Sequence, residues 1–284
     1  MLTTKRMILR PFRMSDAEDI FRWAQDPEVG PPAGWAPHKS IDETRSVIRN
    51  ILSRQETYAL CLKEDGRAIG AAGLHMSGHT DLTDRDDECE LGYWLARPFW
   101  GQGLVPEAAR ALLRRCFVDL GMRRVWCGYY DGNEKSRRVQ EKVGFVYQWT
   151  TENVDVPALH EKRRGHVSCL TREQWLAGQR DVRITAVRKT EYPDLMKRFE
   201  NPIEHACGVS EGDVFVSKGG QRPEGFCESA WDSVAPFVRE LADGGGDFFD
   251  GWMKDPHSAM ISCNDGFRPV SFLLEAAEQA AETE

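Results

Sequence analysis

Between residues 90 and 113 the sequence ELGYWLARPFWGQGLVPEAARALL passes from a strand pattern through a glycine-rich turn directly into a helix. A short GxG ahead of a helix is common and by itself a weak signal, but its physics points one way. A helix N-terminus leaves about four backbone N–H groups without intrahelical partners and carries roughly half a positive charge. Gly101 and Gly103 allow the backbone of Gln102, Gly103, Leu104 and Val105 to turn its N–H groups toward an anion, and Pro106 sits where a missing N–H costs little. The expectation is a turn that holds a pyrophosphate. It is neither a P-loop, since the GK[ST] ending is absent, nor the full GxGxxG dinucleotide pattern.

Around this segment strand-like and helix-like stretches alternate. Met7 to Leu9 reads as a strand, Ser15 as the cap of a helix reaching Gln25, residues 30–35 as a loop, and Ser40 as the cap of a second helix. Strands follow at Tyr58 to Leu62 and Ala68 to Leu74, joined by an Asp65-Gly66 turn, and then at Cys89 to Ala96. Leu112, Leu113, Cys116, Phe117 and Leu120 trace one face of a helix beginning at Gly103. Beyond it come a strand at Val125 to Tyr130, a helix at Asn133 to Val143, and strands at Phe145 to Thr150 and Gly165 to Leu170. Thr171 with Gln174 forms a capping box for a short closing helix.

Near Gly178 the pattern changes. Strand candidates at Val182 to Val187 and Val214 to Val216, helices near residues 191–199 and 227–241, and a hairpin from Ala259 to Leu274 predict a second, smaller α+β domain. The tail EAAEQAAETE reads as frayed. We therefore expect two domains, residues 1–178 and 179–284.

Charge separates the same two regions. Residues 1–178 carry 26 Lys+Arg against 25 Asp+Glu, and residues 179–284 carry 11 against 20, so the last third, at −9, more than accounts for the net charge of −8. That balance counts against a dedicated nucleic-acid binder, while the local basic patch of Lys135, Arg137, Arg138 and Lys142 remains compatible with a small phosphorylated ligand. No apolar stretch approaches the roughly 18 residues a membrane span needs. The opening MLTTKRMILRPFR lacks the apolar core of a signal peptide, and a cytoplasmic location is expected. The eight cysteines are scattered without a CxxC pair, which favours free thiols over disulfides or a zinc ribbon.

About thirty residues after the glycine-rich turn lies DGNEKSRRVQEKVGFVY, in which Asn133 can cap a helix and Gly144-Phe145 enter the next strand. Together with the opening TKRMILRPF and the order of elements, these motifs resemble the GNAT superfamily of acyl-CoA-dependent N-acetyltransferases. The likeness is strongest to the branch containing the ribosomal-protein N-terminal acetyltransferases and covers residues 1 to about 176. It implies an α/β fold of α+β type: a central mixed, mostly antiparallel sheet flanked by helices. The family's (Arg/Gln)-x-x-Gly-x-(Gly/Ala) pattern falls on Trp100, Gly101, Gln102, Gly103, Leu104 and Val105. Trp100 stands where a basic or amide residue is usual, and Val105 where a small one is. The resemblance further implies that the preceding strand splays from its neighbour and that the pantetheine arm of acetyl-CoA pairs along Trp94, Leu95 and Ala96.

By the same resemblance Asn133 contacts the cofactor arm and Ser136 hydrogen-bonds the departing sulfur. Gln140 takes the place where many members carry a tyrosine that protonates the leaving thiolate, and an amide is no acid. A neutral amine must be generated near pH 7, so a general base is required, and Glu90 holds the position of that branch's proposed glutamate base. Its alternative reading is a solvated carboxylate in the acidic loop Asp84, Asp86, Asp87, Glu88. Tyr93 is a strand residue whose hydroxyl could line the acceptor site. Arg137, Arg138 and Lys142 either meet the cofactor's ribose phosphate or form a solvated helix face. His75 and His79 read as polar loop residues, and Trp94, Trp100, Phe117 and Trp126 as core or pocket walls.

Residues 180 to about 275 resemble a small bacterial domain family of unassigned activity through RPEGFCESAW, GWMKDP and CNDGFRPVSF. Cys207, Cys227 and Cys263 match cysteines of that family, with His205 nearby. Such a set could bind zinc, but lone ligands without tight spacing favour buried thiols, and no metal is expected. The resulting expectation is an acetyl-CoA-dependent N-acetyltransferase acting on a primary amine, of a protein N-terminus or a small molecule, in a ternary complex. The alternative is a non-catalytic acyl-CoA sensor or scaffold whose C-terminal domain recruits a partner.

Overall fold

In the computed structural model residues 1–203, 207–248 and 251–277 are described, and their contacts divide into two units, Met1–Trp175 and Leu176–Glu284. The first unit is built on an eight-stranded sheet: β1 (Leu2–Thr3), β2 (Met7–Arg10), β3 (Thr57–Leu62), β4 (Ala68–His75), β5 (Glu88–Leu95), β6 (Arg124–Tyr130), β7 (Val146–Val156) and β8 (Glu161–Thr171). Their spatial order is β1-β2-β3-β4-β5-β6-β8-β7. Every neighbouring pair is antiparallel except β5 and β6. This is the mixed, mostly antiparallel sheet of the GNAT fold.

Alternation along the strands divides the core between the two faces of the sheet. Leu60, Leu74 and Leu91 join Leu112 and Leu113 of α3 (Leu104–Arg114), and Phe117 just beyond its end, on one face. Ala59, Cys61 and Ala71 meet Ile20 of α1 (Ala17–Ala24) on the other, with Ile48 beyond the end of α2 (Ile41–Val47). Side-chain caps start two of the helices. The Ser40 hydroxyl accepts the Glu43 N–H at 3.1 Å, and the Asn133 carbonyl oxygen accepts the Ser136 N–H at 3.2 Å to open α4 (Glu134–Lys142). Thr171 and Gln174 exchange reciprocal bonds of 3.0 and 3.2 Å ahead of α5 (Arg172–Ala177).

Three local expectations need correction. Ser15 is not a cap: Met14–Asp16 is a 3-10 turn, and the Asp16 carboxylate takes the Arg13 N–H while pairing with both guanidinium nitrogens of Arg10. The helix predicted from Gly103 to Leu120 is α-helical only to Arg114 and widens to a π-turn over Arg115–Asp119. Strands β7 and β8 run well beyond the predicted 145–150 and 165–170 and make a long hairpin.

The second unit holds β9 (Val182–Lys189), α6 (Pro193–Phe199), β10 (Val214–Ser217), α7 (Glu228–Ala242), β11 (Ser258–Ser262) and β12 (Val270–Ala276). Its sheet runs β10-β9-β12-β11, all antiparallel. Val234, Val238 and Leu241 of α7 pack on Ile184, Phe272 and Leu274. Glu275 and Ala276, expected to fray, belong to β12, while residues 278–284 lie outside the described set. Cys207, Cys227 and Cys263 lie half-buried against this core as free thiols, and the Cys263 sulfur accepts the Val270 N–H. His205 lies outside the described residues. Among the described residues no three His, Cys, Asp or Glu side chains gather as metal ligands, and no helix is long and apolar enough to cross a membrane.

Candidate active site

Strands β5 and β6 pair over three residues only: Glu88 with Arg124, Cys89 with Val125 and Glu90 with Trp126. Beyond that point they part, although each continues, β5 to Leu95 and β6 to Tyr130. The junction is held by a buried carboxylate. Glu88 accepts from the Trp126 indole at 2.6 Å and from the Thr83 hydroxyl at 2.9 Å, with Arg85 and Arg124 at 3.4 and 3.5 Å. Where the strands separate, a cavity of about 1470 Å³ opens, walled by β5 and β6, the glycine-rich turn, α4 and the 28–38 loop.

At one end of the cavity stands the glycine-rich turn. Gly101 and Gly103 both adopt a φ of +75°, a left-handed conformation that disfavours any side chain, and Gly103 passes into α3. Arg6 fixes the turn from behind: its guanidinium donates to the Gln102 carbonyl at 2.8 Å and to Glu107 at 2.7 Å. With the Gln102 carbonyl held by Arg6, the N–H groups entering α3 are the polar groups left to meet an anion. Gly101, Gly103, Leu104 and Val105 line the cavity, whereas Gln102 does not, its side chain bonding back to the Pro98 carbonyl. Trp100 explains the departure from the family pattern. Its indole N–H donates to the Leu95 carbonyl at 2.7 Å, tying the strand to the turn, and Lys135 Nζ lies 3.5 Å from the centre of its ring.

Along the strand, Trp94 and Leu95 line the cavity, but Ala96 is fully buried and its N–H is bonded to the Ile69 carbonyl. The Trp94 carbonyl faces Gly70 of β4, and its indole meets Trp35 edge to face at 5.6 Å. By the alternation of an antiparallel ladder, the backbone of Tyr93 then faces the gap. Of the three residues expected along the arm, Trp94 and Leu95 thus line the cavity and Ala96 does not.

Midway along the cavity four polar side chains converge, Tyr93, Asn133 and Ser136 on its wall and Gln140 buried behind them. The Tyr93 hydroxyl lies 2.9 Å from Ser136 Oγ, and Gln140 Nε2 donates to that oxygen at 3.3 Å. Gln140 Oε1 is buried with no hydrogen-bond partner. Asn133 bonds in two directions, since besides capping α4 its amide donates to the Pro32 carbonyl at 3.0 Å. Burial holds the Tyr93 phenol well above its ordinary value of 10.

Glu90 also lines the cavity, where Thr80 donates to it at 2.5 Å. Burial pushes its carboxyl above the usual range; the Thr80 bond opposes this and the Asp81 charge adds to it. Across the ladder stands His75, not a loop residue but the last residue of β4, held neutral chiefly by burial. Its imidazole occupies the space above Gly92, where a Cβ would come within 2.5 Å of Nε2. Of the basic residues on α4, Lys135, Arg138 and Lys142 line the cavity, while Arg137 is bonded to Glu134 and Glu141.

Residues 6–146 match the acetyltransferase (GNAT) domain family. The chain carries a GNAT acetyltransferase domain. Among its relatives is the uncharacterized N-acetyltransferase p20 of Bacillus licheniformis, 27% identical over 149 residues that span 51% of this chain and 81% of that protein. The ribosomal-protein-serine acetyltransferase of Escherichia coli K12 is 27% identical over 114 residues, 39% of this chain and 60% of the relative. The crystal structure of a GNAT-family acetyltransferase from Bacillus anthracis superposes with a TM-score of 0.54 at 18% identity. It covers 61% of this chain and 98% of that one, and it shows the fold. The GNAT domain thus accounts for the open sheet, and several of the chain's relatives are named N-acetyltransferases.

Proposed function

We propose that the GNAT domain transfers the acetyl group of acetyl-CoA to a primary amine by direct attack within a ternary complex. The observation that carries this reading is the continuity of one cavity from the glycine-rich turn, past Tyr93 and Ser136, to Glu90. The N–H groups of Gly103, Leu104 and Val105 would hold the coenzyme's diphosphate, with Lys135, Arg138 and Lys142 supplying positive charge at that end. The coenzyme's arm would lie in the gap along Tyr93, Trp94 and Leu95, which places its thioester near Ser136.

Glu90 would take the amine proton, directly or through water. Its raised pKa suits a base working near neutral pH better than that of an exposed glutamate would. Ser136 would hydrogen-bond the departing sulfur. Asn133, rather than touching the cofactor, would hold the 30–35 loop against α4. Glu28, Asp81 and Glu90 line the acceptor end and would draw an ammonium group toward it.

The acceptor is a protein N-terminus or a small-molecule amine. The name of the E. coli relative favours the first. Residues 180 to about 275 are proposed as a member of the small bacterial family that their three sequence pieces resemble. The test is thiol release from acetyl-CoA with a panel of peptides bearing free N-termini and of small amines, beside calorimetric titration of coenzyme A. Release with at least one acceptor class supports the reading; coenzyme binding without release from any acceptor would favour a sensing role instead.

A further inference from the structure

We propose that the Tyr93 hydroxyl, reaching from β5, is the acid that protonates the departing thiolate. The inference rests on the acetyl-transfer reading above and assigns a role that α4 leaves open, because Gln140 has no acidic proton to give.

Tyr93 lines the cavity at the point where the strands have parted, and its hydroxyl crosses to the first turn of α4. There it stands 2.9 Å from Ser136 Oγ and donates to the Ser136 carbonyl at 3.2 Å. Gln140, one turn farther along α4, directs its amide N–H at Ser136 Oγ and at the Gly128 carbonyl. The strand thus delivers the hydroxyl to the helix turn beside the thioester, and the helix supplies only groups that orient it. The knot is not closed: Gln140 Oε1 is buried beside these hydroxyls with no hydrogen-bond partner. Burial keeps the phenol protonated throughout the working pH range, as a donor must be. The neighbouring groups fit less well, since His75 is held neutral by burial and Cys127 is enclosed with its thiol proton tightly held.

The step balances. The amine lone pair attacks the carbonyl carbon, forming the C–N bond; the C–S bond then breaks with its electron pair on sulfur. Sulfur takes the Tyr93 proton. The phenolate regains one from solvent, into which Glu90 has passed the proton lost by nitrogen. The products are the amide and the free thiol.

The test uses the full chain, acetyl-CoA and an acceptor found active with the wild-type protein. Tyr93→Phe is expected to lower kcat about 100-fold or more while the KM for acetyl-CoA stays within about threefold. In the double variant Tyr93→Phe/Gln140→Tyr, a hydroxyl returned to α4 is expected to recover at least tenfold. A purely structural loss would not be mended in that way. Should Tyr93→Phe fold poorly, 3,5-difluorotyrosine placed at position 93 keeps ring and hydroxyl and should move the basic limb of the kcat profile to lower pH. A Tyr93→Phe kcat within threefold of wild type, a loss that the double variant does not recover, or an unmoved limb each overturns the assignment. If the wild-type chain releases thiol with no amine at all, the acetyl-transfer reading falls first and takes this one with it.

Discussion

The Asn133 side chain joins two elements that the chain separates by about a hundred residues: its amide donates to the Pro32 carbonyl at 3.0 Å while its oxygen caps α4. Asn133→Asp keeps an acceptor for the cap and loses the donor to Pro32; Asn133→Ala loses both. We expect both variants to raise the acceptor KM severalfold with little change in the KM for acetyl-CoA. Only the alanine variant should also lose about 1 kcal/mol of stability, the usual worth of such a cap. Steady-state kinetics and thermal unfolding separate the two effects, and equal stability of the two variants would contradict the capping role.

Glu90→Gln should lower kcat by about 100-fold or more and leave coenzyme affinity intact, as read by calorimetry. The wild-type acidic limb should lie above the ordinary carboxylate range, because the base must be ionised and burial raises its pKa. Stability has the opposite sign. A carboxyl whose folded-state pKa is raised favours folding below its unfolded value, and that contribution is lost as pH rises through the folded value. At pH 8 the glutamine variant should therefore melt no lower than wild type, and a clear drop in Tm would count against the buried, desolvated carboxylate.

Gly103 has room for a side chain, its added Cβ meeting only Arg6 at 3.6 Å, but not the conformation for one. Gly103→Ala should cost about 1 kcal/mol in stability through the left-handed backbone. It should also raise the KM for acetyl-CoA more than that for the amine. An unchanged coenzyme KM would mean the turn does not hold the diphosphate.

Glu56 is a buried, left-handed residue whose carboxylate receives the Arg115 guanidinium at 2.8 Å and the Tyr58 hydroxyl at 2.7 Å. The Arg115 bonds hold its pKa below the usual range, with Tyr58 helping, while burial opposes them. Arg115→Ala should destabilise the domain by about 3 kcal/mol at pH 7, since it strands a buried charge. A lowered carboxyl contributes stability above its unfolded pKa and loses it as pH falls through the folded one. The gap between wild type and variant should therefore shrink in denaturant titrations below about pH 4.

Local signals carried most of the fold. Ser40, Asn133 and the Thr171–Gln174 box each act where their spacing put them, and Gly101 and Gly103 take the positive φ expected of them. The strand ends in residues 151–165 were illegible because most of those side chains are polar and face water on both sides, leaving no period-two pattern, and because register shifts interrupt the pairing. Ser15 misled because Asp16 offers a stronger acceptor one residue later. In the site, Glu90 and Ser136 came from a known pattern. The contacts of Arg6 with Gln102, Thr80 with Glu90 and Tyr93 with Ser136 join separate elements of the chain and leave no trace in local composition. Only the divergence of β5 from β6 makes Tyr93 a neighbour of α4.

That divergence has a cost for the free protein. Past Glu90 and Trp126 the two strands no longer bond one another, with the Trp100 indole on the Leu95 carbonyl and the Gln140 amide on the Gly128 carbonyl, and a guest that supplies amides of its own would make the halves one lattice. Coenzyme occupancy then sets rigidity as well as readiness to react: at a hundred times its Kd a ligand adds about 2.7 kcal/mol to the stability of the state it binds. Deuterium uptake at Tyr93 and Gly128 should slow sharply as the coenzyme enters, with the Glu88–Trp126 junction protected throughout. The coenzyme supply would govern how firmly this half of the molecule holds its shape.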